Sequence, residues 1–215
     1  MISLESRVYT LPSQAVRTPK DNSTVYARVG KRLFDLLVLV LVTALVLIWL
    51  VPLIALAIIL DSPGPVFFAQ LRTGRNGRPF RCLKFRSTTY HPTPGFRSNE
   101  PEVTSVGRFL RATGLDELPN FFNVLIGDMS IVGPRPHTLQ YDAQYWTTPG
   151  YRDRHSVRPG ITGLIQTRVS PAATPGLIQM PHLLRYDRWY VQRYSLGLDF
   201  KICWWTIADR LKAVR

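Results

Sequence analysis

The hydrophobic pattern of the chain is dominated by one uncharged segment, which runs from Leu36 to Leu60. At ~1.5 Å per residue, a helix of this length is longer than the hydrocarbon core of a bilayer, about 30 Å. We therefore expect the segment to lie in a membrane. The alternative, a fully buried helix of a soluble protein, is rarely so long and so uniformly apolar.

Basic residues flank this apolar segment on both sides. They are Arg28, Lys31 and Arg32 before it, and Arg72, Arg75, Arg78, Arg81, Lys84 and Arg86 after it. Positive charge favours the cytoplasmic side, and a spanning helix would leave one group outside. Pro52 lacks an N–H and can break the helix, so that the chain returns to the side from which it entered. We predict a re-entrant, proline-broken membrane helix in residues 28–61, with a kinked spanning helix as the alternative.

A β-hairpin is predicted after the apolar segment. The run from Val66 to Gln70 has the composition of a strand, Asn76-Gly77 signals a turn, and Phe80 to Phe85 forms the returning strand. Because the hairpin is rich in arginine, it either faces solvent, contacts anionic lipid headgroups, or lines a binding site through Lys84 and Arg86.

Helical periodicity returns further along the chain. Ser105 to Thr113 is predicted as a short helix with Val106, Phe109 and Leu110 facing inward. Residues 182–215 are predicted as two helices broken near Gly197. Their aromatic residues lie beside Arg and Lys, which fits amphipathic helices at a membrane interface, although the rings could equally fill a core. The expected fold is α/β, mostly α with a short β-hairpin.

The adjacent carboxylates Asp116 and Glu117 follow Gly114, which we expect to end the preceding helix. Pro119 occupies a position that a first helical turn tolerates, so the acidic pair is predicted to open the next helix. Leu118, Phe122 and Leu125 are spaced by four and three residues. This spacing predicts an apolar stripe that anchors the turn against a core.

A helix N-terminus binds phosphate and keeps a nearby carboxylate ionised. An ionised Asp116 could act as a nucleophile, and Glu117 as a general acid or base. Either could also hold a divalent cation that shields a phosphate. The simpler interpretation is that acidic residues are common in a first helical turn.

Two further turns hold an arginine between rigid residues. Gly133-Pro134-Arg135-Pro136 fixes the backbone on both sides of Arg135, which suits it to bidentate binding of a phosphate or carboxylate. Arg158-Pro159-Gly160 is a second such turn. The formal net charge of +13 also indicates an anionic partner: phospholipid, nucleotide phosphate or nucleic acid.

The acidic stretch resembles the signature of the bacterial sugar transferases called small monotopic phosphoglycosyl transferases. The motifs are Arg111, Leu115-Asp116-Glu117-Leu118-Pro119, Asn123-Val124-Leu125, Gly127-Asp128-Met129-Ser130 and Gly133-Pro134-Arg135-Pro136. Further similar motifs are Lys31-Arg32-Leu33-Phe34-Asp35, residues 62–70, Lys84-Phe85-Arg86-Ser87 and residues 158–164. The resemblance covers nearly all of the chain from Lys31. Val51 departs from it, since relatives often have serine there.

Residues 1–27 are polar and lack apolar periodicity, so we expect a flexible arm there. The resemblance implies an α/β monotopic membrane enzyme, with the membrane helix in residues 28–61 and a catalytic domain in residues 62–215. It implies transfer of a phospho-sugar from a nucleoside diphosphate sugar, expected to be a UDP-sugar, to polyprenyl (undecaprenyl) phosphate. UMP would leave through a covalent aspartyl intermediate, and a surface glycan would be started. The expected location is the cytoplasmic face of a bacterial inner membrane.

Residue roles follow from the same resemblance. Asp116 is the expected nucleophile and Mg²⁺ ligand, with Glu117 beside it. The expected phosphate- or substrate-binding residues are Arg111, Arg135, Lys84, Arg86, Arg158, Arg168 and Asp187. Arg168 is included because Thr167-Arg168-Val169 stands where relatives have an Asn-Gly-Arg stretch.

Two alternatives stay open. One is a basic membrane-anchored binding or scaffolding protein without catalysis, and the other is a hydrolase that cleaves diphosphates with water. The expected partners are the sugar donor, polyprenyl phosphate and membrane lipid, without nucleic acid. The oligomeric state is left open, a dimer included.

Overall fold

The computed structural model describes residues 26–89, 102–168 and 180–213, and most of these residues are helical. The arm expected for residues 1–27 lies, up to residue 25, outside the described residues. The helices are α1 (Lys31–Val42), α2 (Ile48–Asp61), α3 (Ser105–Thr113), α4 (Asn120–Ile126), α5 (Leu139–Tyr145), α6 (Leu164–Arg168), α7 (Met180–Arg193) and α8 (Leu196–Ala213). The strands are β1 (Phe67–Thr73), β2 (Pro79–Phe85), β3 (Ser130–Val132) and β4 (Gly160–Thr162).

The uncharged segment forms one long helix, Lys31–Asp61, in which a π-helical turn at Thr43–Leu47 joins α1 to α2. The predicted break of the helix at Pro52 is wrong, because Pro52 lies inside α2 without ending it, and the π-helical turn lies before the proline. Among the described residues this is the one helix long and apolar enough to cross a membrane. Only 17% of its most apolar window is buried, unlike the core helix of a soluble protein.

Both ends of this long helix contact the rest of the fold. At the start, the Arg32 guanidinium donates hydrogen bonds of 2.6 and 2.7 Å to the carbonyl oxygens of Val124 and Leu125 at the end of α4. At the other end, the Asp61 carboxylate accepts a 3.1 Å hydrogen bond from the Val106 N–H at the start of α3. The long helix is therefore docked at two points.

The predicted hairpin is confirmed. β1 and β2 are antiparallel, with Phe68 opposite Lys84 and Gln70 opposite Cys82, and the turn contains Asn76 in a left-handed conformation (φ 58°). Since alternate residues of a strand share a face, Gln70 lies on the same face of the hairpin as Lys84. β3 and β4 form a separate short parallel pair.

The apolar core lies between the hairpin, α4, the β3–β4 pair and the last two helices. Its fully buried members include Cys82, Val124, Val132 and Ile202. A second cluster joins Ile54 and Ile58 of α2 to Phe85, Leu110 and their neighbours. These clusters fix the positions of β2 and α3 beside the acidic pair.

The predicted bounds of α3 are confirmed, but the inward faces predicted for α3 and α4 are only partly correct. In α3, Leu110 is 1% exposed, whereas Phe109 is 60% exposed. In α4, Phe122 and Leu125 are about half exposed, and the buried side carries Asn123, whose amide hydrogen-bonds the backbone of β2. Val106, Leu110 and Leu118 pack in the second cluster as predicted, whereas Phe109, Phe122 and Leu125 are exposed.

The two predicted C-terminal helices are present as α7 and α8. The chain breaks at residues 194–195, and Gly197 lies inside α8. Tyr190 is buried in the core while Trp204 is 64% exposed, so the aromatic rings do not all fill the core, and a membrane interface for the exposed ones stays a prediction.

Candidate active site

The acidic pair lies in a tight connection between α3 and α4. Gly114 ends α3 with φ 71°, as predicted, and this left-handed conformation strongly favours glycine. Asp116 and Glu117 then form part of a single 3₁₀ turn, Leu115–Glu117, and α4 begins only at Asn120. The prediction that the pair opens α4 is therefore wrong: it occupies a separate turn whose orientation is fixed by Gly114.

Two cations hold Glu117 in place. The Lys84 Nζ atom lies 2.8 Å from Glu117 Oε1, and Arg135 Nη2 lies 2.8 Å from the same oxygen. Lys84 Nζ is also 3.7 Å from Asp116 Oδ2. The structure thus brings four of the predicted site residues into one cluster, and Asp116 has the looser contact of the two carboxylates.

Arg111 lies on the other side of Asp116. Its Nε atom donates a 2.8 Å hydrogen bond to Ser87 Oγ, which directs the guanidinium along the α3 side of the site. The charge of Arg111 lowers the pKa of Asp116, which shows that the two groups interact electrostatically. Arg111 is thus positioned to contact an anion that reaches Asp116.

The cluster lines an open cavity of about 550 Å³, bounded by the hairpin and the acidic turn. Basic side chains of β1, β2, α3 and two loops line it: Arg72, Lys84, Arg86, Arg111 and Arg135. An adjoining, more apolar cavity of about 710 Å³ also reaches Glu117 and Arg135, and its wall includes Leu118 and Phe121. The site therefore combines a basic compartment with an apolar one.

The surroundings shift the pKa values of the two carboxylates in opposite directions. Burial raises the pKa of Asp116, and the charge of Glu117 raises it further, although Lys84 and Arg111 lower it. Burial also acts to raise the pKa of Glu117, but Arg135 and Lys84 together hold it below its ordinary value. The sequence predicted an ionised Asp116, whereas in the structure Glu117 is the carboxylate that its neighbours keep ionised most strongly.

Arg154 supports the site from behind. Its side chain is 2% exposed, and its Nε atom donates a 2.9 Å hydrogen bond to Asp187 Oδ2. Its Nη2 atom donates a 2.7 Å hydrogen bond to the carbonyl oxygen of Arg135. Asp187 is thus buried against Arg154 rather than exposed to a substrate, and it acts on the site through the turn that carries Arg135.

Three other predicted residues are held by contacts of their own. Arg86 lines the basic cavity, but its donors are directed to the end of α2, where they reach Pro65 O and both oxygens of Ser62. Arg168 stacks over the Trp205 ring, 3.7 Å from its centroid. Arg158 lies in a different cavity. Phosphate binding by these residues stays a prediction.

Sequence reasoning missed Arg72 and Arg154 as members of this site. Arg72 lies in β1 two residues after Gln70, on the face of Lys84, so the period of the strand could have identified it. It donates a 3.2 Å hydrogen bond to the carbonyl oxygen of Pro136. Arg154 lies in a 3₁₀ segment, Tyr151–Ser156, where no local pattern marks it.

The described residues of the site supply only some of the oxygen ligands that a Mg²⁺ ion needs. Within the described residues no group of three or more His, Cys, Asp or Glu could hold a metal. Magnesium is usually held by one or two carboxylates together with substrate phosphates and water. Asp116 suits that arrangement because it is not in a close ion pair, whereas one oxygen of Glu117 is engaged by two cations.

The comparisons with known proteins agree on one family. A family model described as bacterial sugar transferase matches residues 26–213. A relative from Klebsiella pneumoniae, named UDP-glucose:undecaprenyl-phosphate glucose-1-phosphate transferase, is 44% identical over 83% of this chain and 39% of its own length. A relative of the same name from Caulobacter vibrioides is 43% identical over 84% of this chain and 69% of its own.

The relatives differ in the sugar that their names give. One from Aeromonas hydrophila, named UDP-N-acetylgalactosamine-undecaprenyl-phosphate N-acetylgalactosaminephosphotransferase, is 41% identical over 71% of this chain and 37% of its own length. The chain thus spans less than two fifths of the length of several relatives that it matches. Similarity at this level covers the sugar transferase portion shared by proteins of different donor specificity.

Proposed function

The chain belongs to the bacterial sugar transferase family, and we propose that it transfers a phospho-sugar from a UDP-sugar to polyprenyl (undecaprenyl) phosphate, releasing UMP. The product, a polyprenyl-diphosphate sugar, would start a surface glycan such as an exopolysaccharide, a capsule or an O-antigen. Names of the relatives support both the donor class and the acceptor.

The observation that carries this proposal is the position of Asp116. It lies at the edge of a cavity lined by five basic side chains, and these cations can neutralise a diphosphate. Glu117 forms the close ion pairs with Lys84 and Arg135, and among the described residues the nearest cation to Asp116 is Lys84 at 3.7 Å. A scaffolding protein that binds anions would gain nothing from two carboxylates among the arginines.

The proposed reaction has two displacements. First, a carboxylate oxygen of Asp116 attacks the β-phosphorus of the donor, and the bond from that phosphorus to the bridging oxygen breaks. UMP leaves with the electron pair. A phosphate oxygen of polyprenyl phosphate then attacks the same phosphorus, and the bond to Asp116 breaks, which restores the carboxylate. No net proton transfer is required if the acceptor phosphate is ionised.

Glu117 would then act by position rather than as a base. Its lowered pKa makes it a weak proton acceptor, while its two ion pairs fix Lys84 and Arg135 around the phosphates. Asp116, with the donor phosphates, would hold Mg²⁺, which when bound neutralises phosphate charge.

The contacts of the long helix favour the re-entrant membrane arrangement. Arg32 near its start and Asp61 at its end bind consecutive helices of the same catalytic domain, α4 and α3. A straight spanning helix would place these residues on opposite sides of a bilayer about 30 Å thick. The monotopic arrangement on the cytoplasmic face of the inner membrane would bring the site to the level of the acceptor phosphate.

The exposed apolar side chains support the same placement. Beyond the long helix the most exposed of them occur on β1, α3, α4 and α8, and they include Phe68, Leu71, Phe109, Leu125, Ile126, Leu196, Phe200, Trp204 and Ile207. Exposed apolar groups in such number are typical of a surface that contacts a membrane or another protein.

The decisive experiment measures UMP release from a panel of UDP-sugars, with Mg²⁺, with and without undecaprenyl phosphate. The proposal predicts acceptor-dependent UMP release from the cognate sugar, and loss of it in Asp116→Asn while the protein still folds. UMP release without acceptor would favour the diphosphate hydrolase. Full activity of Asp116→Asn would refute the covalent mechanism, and no turnover with any nucleotide sugar would favour the binding protein.

A further inference from the structure

A second basic cavity lies on a different part of the catalytic domain. It has a volume of about 330 Å³, is bounded by the start of α1, the hairpin turn, β3 and α7, and shares no lining residue with the basic cavity of Asp116. Arg75 and Arg158 line it, together with Lys31 and Asp35 of α1. The sequence singled out Arg158 as a phosphate ligand, yet the structure places it here.

Each of the two arginines uses only its Nε–H group in a hydrogen bond with the described protein. Arg158 Nε donates a 2.7 Å hydrogen bond to the carbonyl oxygen of Gly127, and Arg75 Nε donates a 3.2 Å hydrogen bond to that of Ser156. Within the described residues neither guanidinium has a carboxylate within 4.0 Å, and the Nη atoms of both make no hydrogen bond. Each side chain is therefore anchored at Nε, with four N–H donors remaining.

The remaining charges of the cavity compensate one another. Lys31 Nζ bonds Asp199 Oδ2 at 2.6 Å and Val132 O at 2.9 Å, and it lies 3.7 Å from Asp35 Oδ1. Asp35 also accepts hydrogen bonds from Ser130 Oγ and the Ile131 N–H. With two carboxylates around one lysine, this network adds no positive charge to the cavity, and its surplus carboxylate offsets part of the charge of Arg75 and Arg158.

Electrostatics confirms that like charges are crowded here. Burial lowers the pKa of Arg158, and the charges of Arg75 and Arg32 lower it further, against smaller opposing effects of Asp35 and Asp128. Arg32 is anchored on the end of α4 nearby, as described above. The three arginines repel one another, Asp35 and Asp128 offset only part of that repulsion, and a bound anion would relieve the rest.

We propose that this cavity is a second phosphate-binding site, in which Arg75 and Arg158 bind the oxygens of one phosphate group. Planar guanidinium groups bind phosphate in a bidentate manner, and two of them can bracket one phosphate. The phosphate belongs either to the headgroup of an anionic phospholipid, which the position at the start of the apolar helix favours, or to a soluble phosphate. This inference does not depend on the reaction at Asp116.

The test compares two double variants with equal loss of charge. Arg75→Gln/Arg158→Gln removes the proposed ligands. Arg78→Gln/Arg81→Gln is the matched control, because these exposed hairpin arginines line neither basic cavity. Equilibrium dialysis of the detergent-purified full chain against labelled inorganic phosphate measures phosphate bound per chain, and native mass spectrometry measures retained phosphatidylglycerol.

The proposal predicts that the Arg75/Arg158 variant binds one phosphate fewer per chain than the control, or loses phosphatidylglycerol that the control retains. The first result identifies a soluble phosphate as sufficient, and the second identifies a lipid headgroup. Both variants keep the site at Asp116, so phosphate bound there does not contribute to the difference between them. Arg75→Gln alone, at an exposed position, provides the same comparison if the double variant does not fold. Equal binding of both probes by all variants would overturn the proposal.

Discussion

Arg154 Nη2 donates a 2.7 Å hydrogen bond to the main-chain carbonyl oxygen of Arg135, so a buried guanidinium supports the backbone of an exposed one. The side chain of Arg135 then reaches Glu117 at 2.8 Å. Pro134 and Pro136 restrict the backbone on either side of this contact. The position of the Arg135 charge is thus determined by a rigid turn and by a buried ion pair, Arg154–Asp187.

This relationship predicts that the effects of Arg154 and Arg135 on activity are not additive. Arg135→Ala and Arg154→Met should each reduce kcat/KM, and the double variant should lose little more than Arg135→Ala alone, because Arg154 acts through that side chain. Steady-state UMP release by the wild type, the two single variants and the double variant provides the four values of a double-mutant cycle. It is measured at a temperature where circular dichroism shows every variant folded.

The control for this cycle is Arg152→Met, since Arg152 is exposed and its contacts with the described residues are with the Trp146 carbonyl oxygen and ring. It should keep near-normal activity. If Arg154→Met reduces activity by the same factor with and without Arg135, then Arg154 has a general structural role and does not position the turn.

The two carboxylates should affect stability with opposite signs. The raised pKa of Asp116 means that its ionised form is disfavoured in the fold, so stability falls as pH rises through the raised pKa. Asp116→Asn should therefore raise the thermal midpoint at pH 7 although it abolishes transfer. The lowered pKa of Glu117 means that its charge stabilises the fold at neutral pH, so Glu117→Gln should lower the midpoint.

Differential scanning fluorimetry at pH 7 and pH 4 measures both effects. The stabilisation by Asp116→Asn should shrink as pH falls from the raised pKa towards the ordinary aspartate pKa, where the unfolded chain also takes up the proton. The destabilisation by Glu117→Gln should be complete above the ordinary glutamate pKa and shrink as pH falls towards the lowered pKa. A lower thermal midpoint for both variants at pH 7 would show that the pKa values of the two carboxylates are not shifted in opposite directions.

The acid limb of the pH–rate profile should follow Asp116. Attack requires its ionised form, and its pKa lies above the ordinary aspartate value, so log kcat/KM should fall with unit slope on the acid side of that raised pKa. In Glu117→Gln the limb should move to lower pH, because the negative charge of Glu117 raises the pKa of Asp116. A limb that stays in place would assign the titration to another group.

Local rules account for the parts of the fold that the sequence predicted. Gly114 and Asn76 adopt positive φ because those residues tolerate it, and the bounds of α3 follow from its cap at Thr104 and its end at Gly114. Lys84, Asp116, Glu117 and Arg135 were selected from motifs, and the structure brings them together.

What the sequence could not predict depends on contacts between distant segments. Asp187 and Arg154 are 33 residues apart, and only the packing of α7 against the 3₁₀ segment shows that they pair. Periodicity also cannot say whether an apolar face meets the core or an external apolar phase. Phe109 and Phe122 were assigned inward for that reason.

The re-entrant arrangement predicts that both ends of the long helix are on the cytoplasmic side. In a variant without Cys82 and Cys203, single cysteines at Val29 and at Gly64, placed on either side of Lys31–Asp61, should be protected from a membrane-impermeant maleimide in intact cells. Both should be labelled after the inner membrane is opened. Labelling of one site in intact cells would establish a spanning helix and would contradict the shared docking on α3 and α4.

The neighbouring residues Phe109 and Leu110 test which face of α3 meets the core. Leu110 is 1% exposed and packs in the cluster with Ile58 and Phe85, so Leu110→Ala should lower the free energy of unfolding by about 2–5 kcal/mol. Phe109 is 60% exposed, so Phe109→Ala in detergent should change it by no more than about 0.5 kcal/mol. Thermal and denaturant unfolding measure the difference. Equal destabilisation by both substitutions would mean that Phe109 packs against another part of the protein and is not available to a membrane.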